Sequence, residues 1–176
     1  MSEPVSKSPF WQFSIKFYAV PGVADACIAL QDQAKVDVNI LFYLLWNATQ
    51  GRAFNATDVT EIEHRLGPWR EMAVVPVRNV RRALKSPPPA MPPEAAESLR
   101  TRIKAVELEA ERLQQEALYA LSETSRLGRP APSKTEAARD SVSSYQGLIG
   151  PFPPGPLETV LSAFAKFEPP GRDTQD

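Results

Sequence analysis

Residues 9–46 read PFWQFSIKFYAVPGVADACIALQDQAKVDVNILFYLLW, and this stretch decides the fold class. It is rich in aromatic side chains, and it ends in an uninterrupted apolar run over residues 40–46. A helix that is apolar on every side has to be surrounded by protein. The stretch therefore predicts the central element of a packed domain, and by itself it indicates no reaction.

The apolar side chains of this stretch recur with the period of a helix. A first helix is predicted over residues 9–19, and Pro21 suits the first turn of a second helix. Asp37 suits the N-cap of a third helix over residues 38–49. The sequence contains no sustained alternation of apolar and polar residues and no Asn-Gly or Asp-Gly hairpin signal. We therefore predict an all-α fold, a single compact helical bundle.

The helical pattern continues along the chain. A fourth helix is predicted over residues 57–66, ended by Gly67. Pro76 interrupts the next segment, because an interior proline costs about 3 kcal/mol, but it can begin a helix over residues 77–85. The longest element is predicted from residue 93 to about residue 125.

This long amphipathic helix carries a heptad-like apolar seam, whose members alternate in spacing between four and three residues. A rise of 1.5 Å per residue gives it a length of ~48 Å, so one end is expected to project from the domain. We expect the seam to face the core. Its members are Leu99, Ile103, Val106, Ala110, Leu113, Ala117 and Ala120.

Proline clusters punctuate the chain, which contains 18 prolines and 8 glycines. We predict a helical core domain over residues 8–126. Residues 127–176 are predicted to form a proline-rich, partly disordered extension with one short amphipathic helix near residues 156–167. The last nine residues are expected to be disordered.

Composition excludes several classes of protein. The net charge of −1 creates no global field that would attract nucleic acid or an anionic membrane. The single cysteine, Cys27, excludes an intramolecular disulfide and fits a reducing compartment. The first twenty residues do not resemble a secretory signal, and the apolar run over residues 40–46 is far shorter than the ~20 residues of a membrane span. We predict a cytoplasmic protein without a membrane span, and the sequence leaves the oligomeric state open.

Residues that carry common catalytic chemistry are scarce. His64 is the only histidine, which excludes metal sites and mechanisms that need two. The sequence contains no glycine-rich phosphate loop, no serine nucleophile elbow and no cysteine pair. Cys27 lies on an apolar stripe and is read as a buried, inert thiol. These observations favour a non-enzymatic protein and predict no cofactor and no metal.

A basic helix is the strongest candidate for a functional surface. Residues 65–85 contain six positive charges and one negative charge. Folding back about residues 86–93 would place Arg78 near residue 101 and Arg70 near residue 109, so the acidic part of the long helix would neutralise the cluster only in part. We therefore predict a surface, or the projecting long helix, that binds a protein partner, which is acidic if it contacts the cluster. The basic residues are Arg65, Arg70, Arg78, Arg81, Arg82 and Lys85.

An alternative hypothesis places a pocket among the first three helices. Asp25, Asp32 and Asp37 are the only carboxylates of the aromatic stretch, and they could anchor a small molecule or Mg²⁺ in a metal-dependent enzyme. The same residues could instead serve the fold, since Asp32 can close one helix and Asp37 can cap the next. A concave pocket with at least two of these aspartates would favour a small-molecule binder, and a flat exposed patch would favour an interaction protein.

Several stretches, taken in order, resemble a bacterial family of small uncharacterised proteins with a domain of unknown function. The resemblance implies a helical fold and brings no activity. The family usually carries a glycine before the Asp37-Val38-Asn39 triplet, where this chain has Lys35-Val36. The stretches are Phe10-Trp11-x-Phe13-Ser14, Tyr18-x-x-Pro21-Gly22-Val23, Leu30-Gln31-Asp32, Asp37-Val38-Asn39, Val74-Val75-Pro76-Val77-Arg78-x-x-Arg81-Arg82-x-Leu84-Lys85 and Glu107-Leu108-Glu109-Ala110-Glu111-Arg112.

Overall fold

Helices dominate the computed structural model of the chain, which describes residues 8–168. A π-helical segment, Arg70–Val74, joins the fourth helix to the fifth. Two strands of two residues each, β1 (Arg52–Ala53) and β2 (Arg129–Pro130), pair antiparallel, with Arg52 opposite Pro130. The predicted all-α fold class is confirmed. The helices are α1 (Pro9–Tyr18), α2 (Val23–Ala34), α3 (Val38–Thr49), α4 (Ala56–Trp69), α5 (Val75–Ala83), α6 (Pro93–Thr124), α7 (Lys134–Ile149) and α8 (Pro154–Lys166).

Side-chain caps begin the helices of the N-terminal half close to their predicted starts. The Ser8 hydroxyl accepts a hydrogen bond from the Trp11 amide at 3.1 Å and begins α1. Asp37 begins α3, because its carboxylate accepts hydrogen bonds from the second and third amides of that helix. Asn55 and Asp58 form a reciprocal capping box at the start of α4. These starts are local events, and for that reason the sequence predicted them well.

The path from α4 to α5 differs from the prediction. Gly67 does not end α4, and Pro68 lies within that helix. Pro76 does not interrupt the path either, because the π-helical segment precedes it: the Val75 amide donates to the Arg70 carbonyl, five residues earlier. This wider turn changes the hydrogen-bond pairing just before the proline, whose missing N–H would have broken a regular α-helix.

The core lies around α3, as the apolar run predicts. Residues 40–45 of this helix are all buried, and α3 packs against α1, α6, α7 and β1. Aromatic rings from several helices meet there. The ring of Phe17 lies 5.2 Å from that of Phe42 and 6.0 Å from that of Phe164, both edge to face.

The last of these rings belongs to α8, so the chain beyond residue 126 forms part of the same core. α8 packs on α2, and α7 packs on α3 and α4, with Tyr145 and Val142 of α7 fully enclosed. The boundary expected at residue 126 therefore does not separate a core from an extension. The predicted helix near residues 156–167 exists as α8, whereas α7 was missed because its inward face consists largely of small residues. Residues 169–176, for which disorder was expected, lie outside the described residues.

The long helix exists as α6, but most of its predicted seam does not face the core. Leu99, Val106 and Leu113 are 39%, 52% and 43% exposed, and Ala117 and Ala120 are exposed as well. Three polar side chains, Glu107, Gln114 and Gln115, are buried instead, together with Leu118 and Leu121, which lie outside the predicted seam. The reason is that buried carboxylates and amides on neighbouring elements select that face, which a count of apolar residues cannot detect. The buried residues of α6 are Ala96, Glu107, Ala110, Gln114, Gln115, Leu118 and Leu121.

Residues 70–112 form a helical arm that stands beside the core. None of the main core cluster falls between residues 67 and 117 in the part of the chain that the structure describes. No side chain of α5 is buried against residues 8–168, and Val80 is 48% exposed. The arm and α1–α3 enclose a cleft between them.

The end of α2 has an unusual backbone conformation. Lys35 has φ +57°, and among residues 8–168 it is the one non-glycine residue in the left-handed region. Its amide donates to the Gln31 carbonyl and the next amide donates to the Leu30 carbonyl, a helix end that normally takes glycine. The resemblance implies a glycine in this Lys35-Val36 stretch, and a lysine in the left-handed conformation costs about 1 kcal/mol.

We expect Lys35→Gly to raise the free energy of unfolding by up to about 1 kcal/mol, because glycine adopts this conformation without a Cβ clash. Urea denaturation followed by circular dichroism measures the change. Lys35→Ala is the control, since it removes the amine and keeps the Cβ. An equal gain in both variants would show that the charge, and not the backbone, is responsible.

Candidate functional site

A cleft of 1140 Å³ lies between α1–α3 and the arm, which makes it larger than most small-ligand pockets, of about 300–1,000 Å³. Exposed apolar side chains line both walls: Ile15, Tyr18 and Ile28 on one side and Leu108 on the other, each between 42% and 51% exposed. Large apolar side chains that meet in one concave surface indicate a binding site more strongly than scattered ones.

Charged side chains surround this apolar surface. Seven cations and five carboxylates line the cleft, a local excess of positive charge in a chain whose net charge is −1. The cations are Lys35, Arg70, Arg78, Arg81, Arg82, Lys85 and Lys104, and the carboxylates are Asp32, Asp37, Glu71, Glu107 and Glu111.

A chain of hydrogen-bonded amides forms and supports the floor of the cleft: Asn39 and Gln115 line it, and the buried Gln114 does not. Asp37 accepts hydrogen bonds from Gln114 at 2.7 Å and from Arg70 at 3.2 Å. The Gln114 oxygen accepts from the Asn39 amide at 2.9 Å, and the Asn39 oxygen accepts from the Gln115 amide at 2.7 Å. Because an ionised carboxylate can only accept, Asp37 sets the orientation of all three amides.

The same floor is tied to α4 and α7. The backbone amide of Asp37 donates to the Tyr145 hydroxyl at 3.1 Å, and burial raises the pKa of Tyr145. Arg70 is 19% exposed and pairs with Glu63, Glu71 and Asp37. The hydrogen bonds that Arg70 donates to Glu63 raise its pKa, against the opposing effect of burial. The guanidinium is therefore a fixed charge of the structure.

The arm is held together by ion pairs between α5 and α6. Arg78 donates to Glu107 at 3.0 Å and to Glu111 at 2.7 Å, and Arg81 donates to both oxygens of Glu107. Burial acts to raise the pKa of Glu107, but the hydrogen bonds from Arg81 and Arg78 outweigh it and lower the pKa. Burial dominates at Glu111, which has Arg78 as its principal cation, and its pKa is raised.

The structure brings five of the six predicted basic residues to this cleft. Arg70, Arg78 and Arg81 are engaged inside the molecule, whereas Arg82 and Lys85 are exposed at the rim. Arg65 does not line the cleft and pairs with Glu61 one turn away, at 2.6 Å.

Carboxylates neutralise more of these arginines than we predicted from folding the chain back about residues 86–93. Arg78 meets Glu107 and Glu111, and not the region of residue 101. The prediction placed the turn symmetrically within residues 86–93, whereas α5 ends at Ala83 and the first turns of α6, which begins at Pro93 as predicted, continue beyond that end. Contacts thus shift toward the acidic middle of α6.

Two of the three candidate aspartates line the cleft, and both are already engaged. Asp32 accepts from Arg82 at 2.7 Å, and Asp37 is saturated by its partners on α3, the π-helical segment and α6. Asp25 is exposed near the start of α2 and does not line the cleft. Within residues 8–168 no group of three or more His, Cys, Asp or Glu side chains is placed to hold a metal ion.

Sequence patterns missed several residues of this site. Gln114 and Gln115 carry no motif, and Asn39 belongs to the Asp37-Val38-Asn39 stretch without a role that the sequence shows, because isolated amides are ordinary helix residues until a buried charge orients them. Trp11 Nε1, Ser14 Oγ and Gln115 Oε1 are buried in the cleft wall without a hydrogen-bond partner among the described residues. Cys27 also lines the cleft, and burial raises the pKa of its thiol to about 12.

Comparison with known protein families identifies the family to which this chain belongs. A family described as "Protein of unknown function (DUF2390)" matches residues 9–118. The chain belongs to the DUF2390 family. The match includes α1 to α5 and most of α6, so the DUF2390 region supplies both walls of the cleft, whereas α7 and α8 complete the core from outside it.

Neither a curated protein nor a solved structure matches the chain. No single helix of this DUF2390 protein within residues 8–168 is long and apolar enough to cross a membrane. α1 and α2 reach that length and composition only as a pair, with a bend of 98° between them.

Asp37 and Asp32 allow a matched test of the cleft floor. We expect Asp37→Ala to lower the free energy of unfolding by about 3 kcal/mol, because it removes the cap of α3 and one partner of Arg70 and leaves the Nε2 group of the buried Gln114 unpaired. Asp32→Ala breaks a half-exposed pair and should cost no more than about 1 kcal/mol. Urea denaturation compares them. Equal losses would contradict a central role for Asp37.

Glu107 and Glu111 should respond oppositely to pH. The lowered pKa of Glu107 means that its stabilisation is present above the ordinary glutamate pKa and is lost as pH falls through the folded value. The raised pKa of Glu111 means that its stabilisation is present below the ordinary pKa and is lost as pH rises through the folded value.

We expect Glu107→Gln to cost about 3 kcal/mol at pH 7 and less on acidification, and Glu111→Gln to cost no more than about 1 kcal/mol. Free energies of unfolding measured from pH 3 to pH 7 test this, and parallel pH profiles for the two variants would refute it.

Proposed function

We propose that this protein is a non-enzymatic binding protein whose cleft takes an amphiphilic organic anion. The observation that carries the proposal is the meeting of four half-exposed apolar side chains with an excess of cations in one concave surface. The proposal shares with the small-molecule alternative drawn from the sequence a concave site against α1–α3, but not the anchoring of the ligand by aspartates. Asp32 and Asp37 hold the arginines in place and do not contact the ligand.

Three lysines define the end of the cleft that would hold the anionic group of the ligand. Lys35, Lys85 and Lys104 are exposed, and none forms an ion pair with a carboxylate of residues 8–168. Lys85 lies one turn beyond Arg82, which bonds Asp32, and Lys104 lies one turn before Glu107. A carboxylate, sulfate or phosphate group at this end would be attracted without displacing an existing pair.

The apolar body of the ligand would extend along Ile15, Tyr18, Ile28 and Leu108. Covering their exposed halves contributes on the order of 4 kcal/mol. The ion contacts add a smaller amount that depends on salt, because exposed charges are screened over about 8 Å at physiological ionic strength. The apolar wall thus supplies most of the affinity, and the lysines select the sign of the charge.

Isothermal titration calorimetry with decanoate, decanol and decyltrimethylammonium below their micellar concentrations tests this proposal. We expect decanoate to bind most tightly, and binding to weaken as salt is added. Leu108→Glu should abolish binding of decanoate, and the double variant Lys85→Ala/Lys104→Ala should remove the preference for the anion.

Lys166→Ala is the matched control, since this lysine is exposed on α8 and does not line the cleft. The proposal fails if decyltrimethylammonium binds as well as decanoate, or if Leu108→Glu leaves binding unchanged.

A protein partner with an acidic segment is the second candidate, and the exposed rim favours it. Arg82 and Lys85 are accessible there, and the cleft is large enough for a helix with one apolar face. Affinity capture from the native cell should then lose the partner with Arg82→Glu/Lys85→Glu and also with Leu108→Glu. Arg78 and Arg81 are unsuitable for such a test, because they stabilise the arm. A cytoplasmic, bacterial setting stays a prediction from the sequence.

A further inference from the structure

The outer face of α6 carries an apolar stripe. Leu99, Val106 and Leu113 are spaced by seven residues, and each is more than one third exposed. Side chains at this spacing align along one edge of a helix and form the seam of a two-helix coiled coil. The sequence predicts such a seam, and the folded chain turns it away from its own core. The stripe therefore has the pattern of a helix contact without a partner helix in residues 8–168.

We propose that two copies of this chain associate through the outer faces of α6, with the two helices antiparallel and a two-fold axis at Val106. Such an axis places Val106 against Val106 of the second copy and Leu99 against the second copy's Leu113, because both leucines lie seven residues from the centre. A two-fold contact has to be self-complementary in this way.

Charges along the stripe select the antiparallel orientation. Arg102 lies four residues before Val106 and Glu109 lies three residues after it, and both are exposed. An antiparallel pair brings Arg102 of each copy close to Glu109 of the other. A parallel pair would place the two arginines on opposite flanks of the seam, where neither meets Glu109 of the other copy. Glu109 accepts two hydrogen bonds from Arg112 and is 56% exposed, so its carboxylate can accept from a second guanidinium.

Small side chains at both ends of the apolar stripe allow the two copies of α6 to approach each other closely. Ala95 and Ala117 are exposed and lie eleven residues on either side of Val106, so the same axis brings them together. The net charge of −1 opposes association only weakly. A contact along one helix lies at the lower limit of specific interfaces, about 1,200 Å² in total, so we expect a weak dimer that dissociates on dilution.

Sedimentation equilibrium over a wide range of protein concentration tests the association. The wild-type chain should pass from monomer to dimer, whereas Val106→Glu should remain monomeric, because it places two negative charges on the axis. Leu108→Glu is the matched control: Leu108 is similarly exposed on the same helix but lines the cleft, so this variant should still dimerise. Circular dichroism should show that all three chains are equally helical.

Single cysteines test the orientation. Val106→Cys should form a disulfide-linked dimer on mild oxidation. Leu113→Cys alone should not, because the two cysteines would lie far apart, whereas a mixture of Leu99→Cys and Leu113→Cys chains should cross-link. The wild-type chain is the background control, since Cys27 is buried.

Charge reversal gives a second, independent readout. Arg102→Glu alone should weaken the dimer, and Arg102→Glu/Glu109→Arg should restore it. The proposal is overturned if the wild-type chain stays monomeric at every concentration, or if Val106→Glu dimerises as the wild type does. It is also overturned if Leu113→Cys alone cross-links as readily as Val106→Cys. None of these outcomes depends on the cleft, so this proposal and the proposed ligand binding can fail separately.

Discussion

The buried carboxylate of Asp37 is the interaction on which the rest of the structure depends. It caps α3, accepts from Arg70 of the π-helical segment and from Gln114 of α6, and its backbone amide donates to Tyr145 of α7. A carboxylate with 5% of its side chain exposed needs such compensation, because removing one partner of a buried charge pair costs several kcal/mol. Four elements are therefore oriented around one residue, three of them by its carboxylate and α7 by its backbone amide.

This constraint explains why α6 turns three polar side chains, Glu107, Gln114 and Gln115, to the interior beside its buried leucines. Gln114 turns inward to reach Asp37, and Gln115 follows to reach Asn39. The same rotation brings Glu107 under Arg78 and Arg81 of α5. Since a helix has only one inward face, the apolar stripe has to point outward. The ionic arm and the exposed stripe are thus two consequences of one helix orientation.

The cleft follows from the same arrangement. An arm held by ion pairs does not collapse onto α1–α3, and the apolar side chains of both walls remain half exposed. The cationic side chains of the cleft differ in how deeply they are buried. Arg70, Arg78 and Arg81 are neutralised beneath the surface, whereas Lys35, Lys85 and Lys104 are free of ion pairs among the described residues. The neutralised arginines hold the walls of the cleft together, and the exposed lysines are the groups that can attract a ligand.

The sequence by itself determined the features that rest on local physics. Helix starts at Asp37 and Asn55 follow from short-range caps, the central place of α3 follows from its apolar run, and the positive charge around residues 78–85 follows from composition. Tertiary structure alone decided which of those cations are neutralised, because this depends on the register between α5 and α6. It also decided that α7 completes the core and that the seam of α6 faces outward. For the neutralised cations and the seam, the physical reason is that a buried charge recruits distant polar partners, and no periodicity along the chain encodes where those partners lie. For α7 the reason is that small inward side chains give a weak apolar pattern, and only packing on α3 and α4 shows that they are buried.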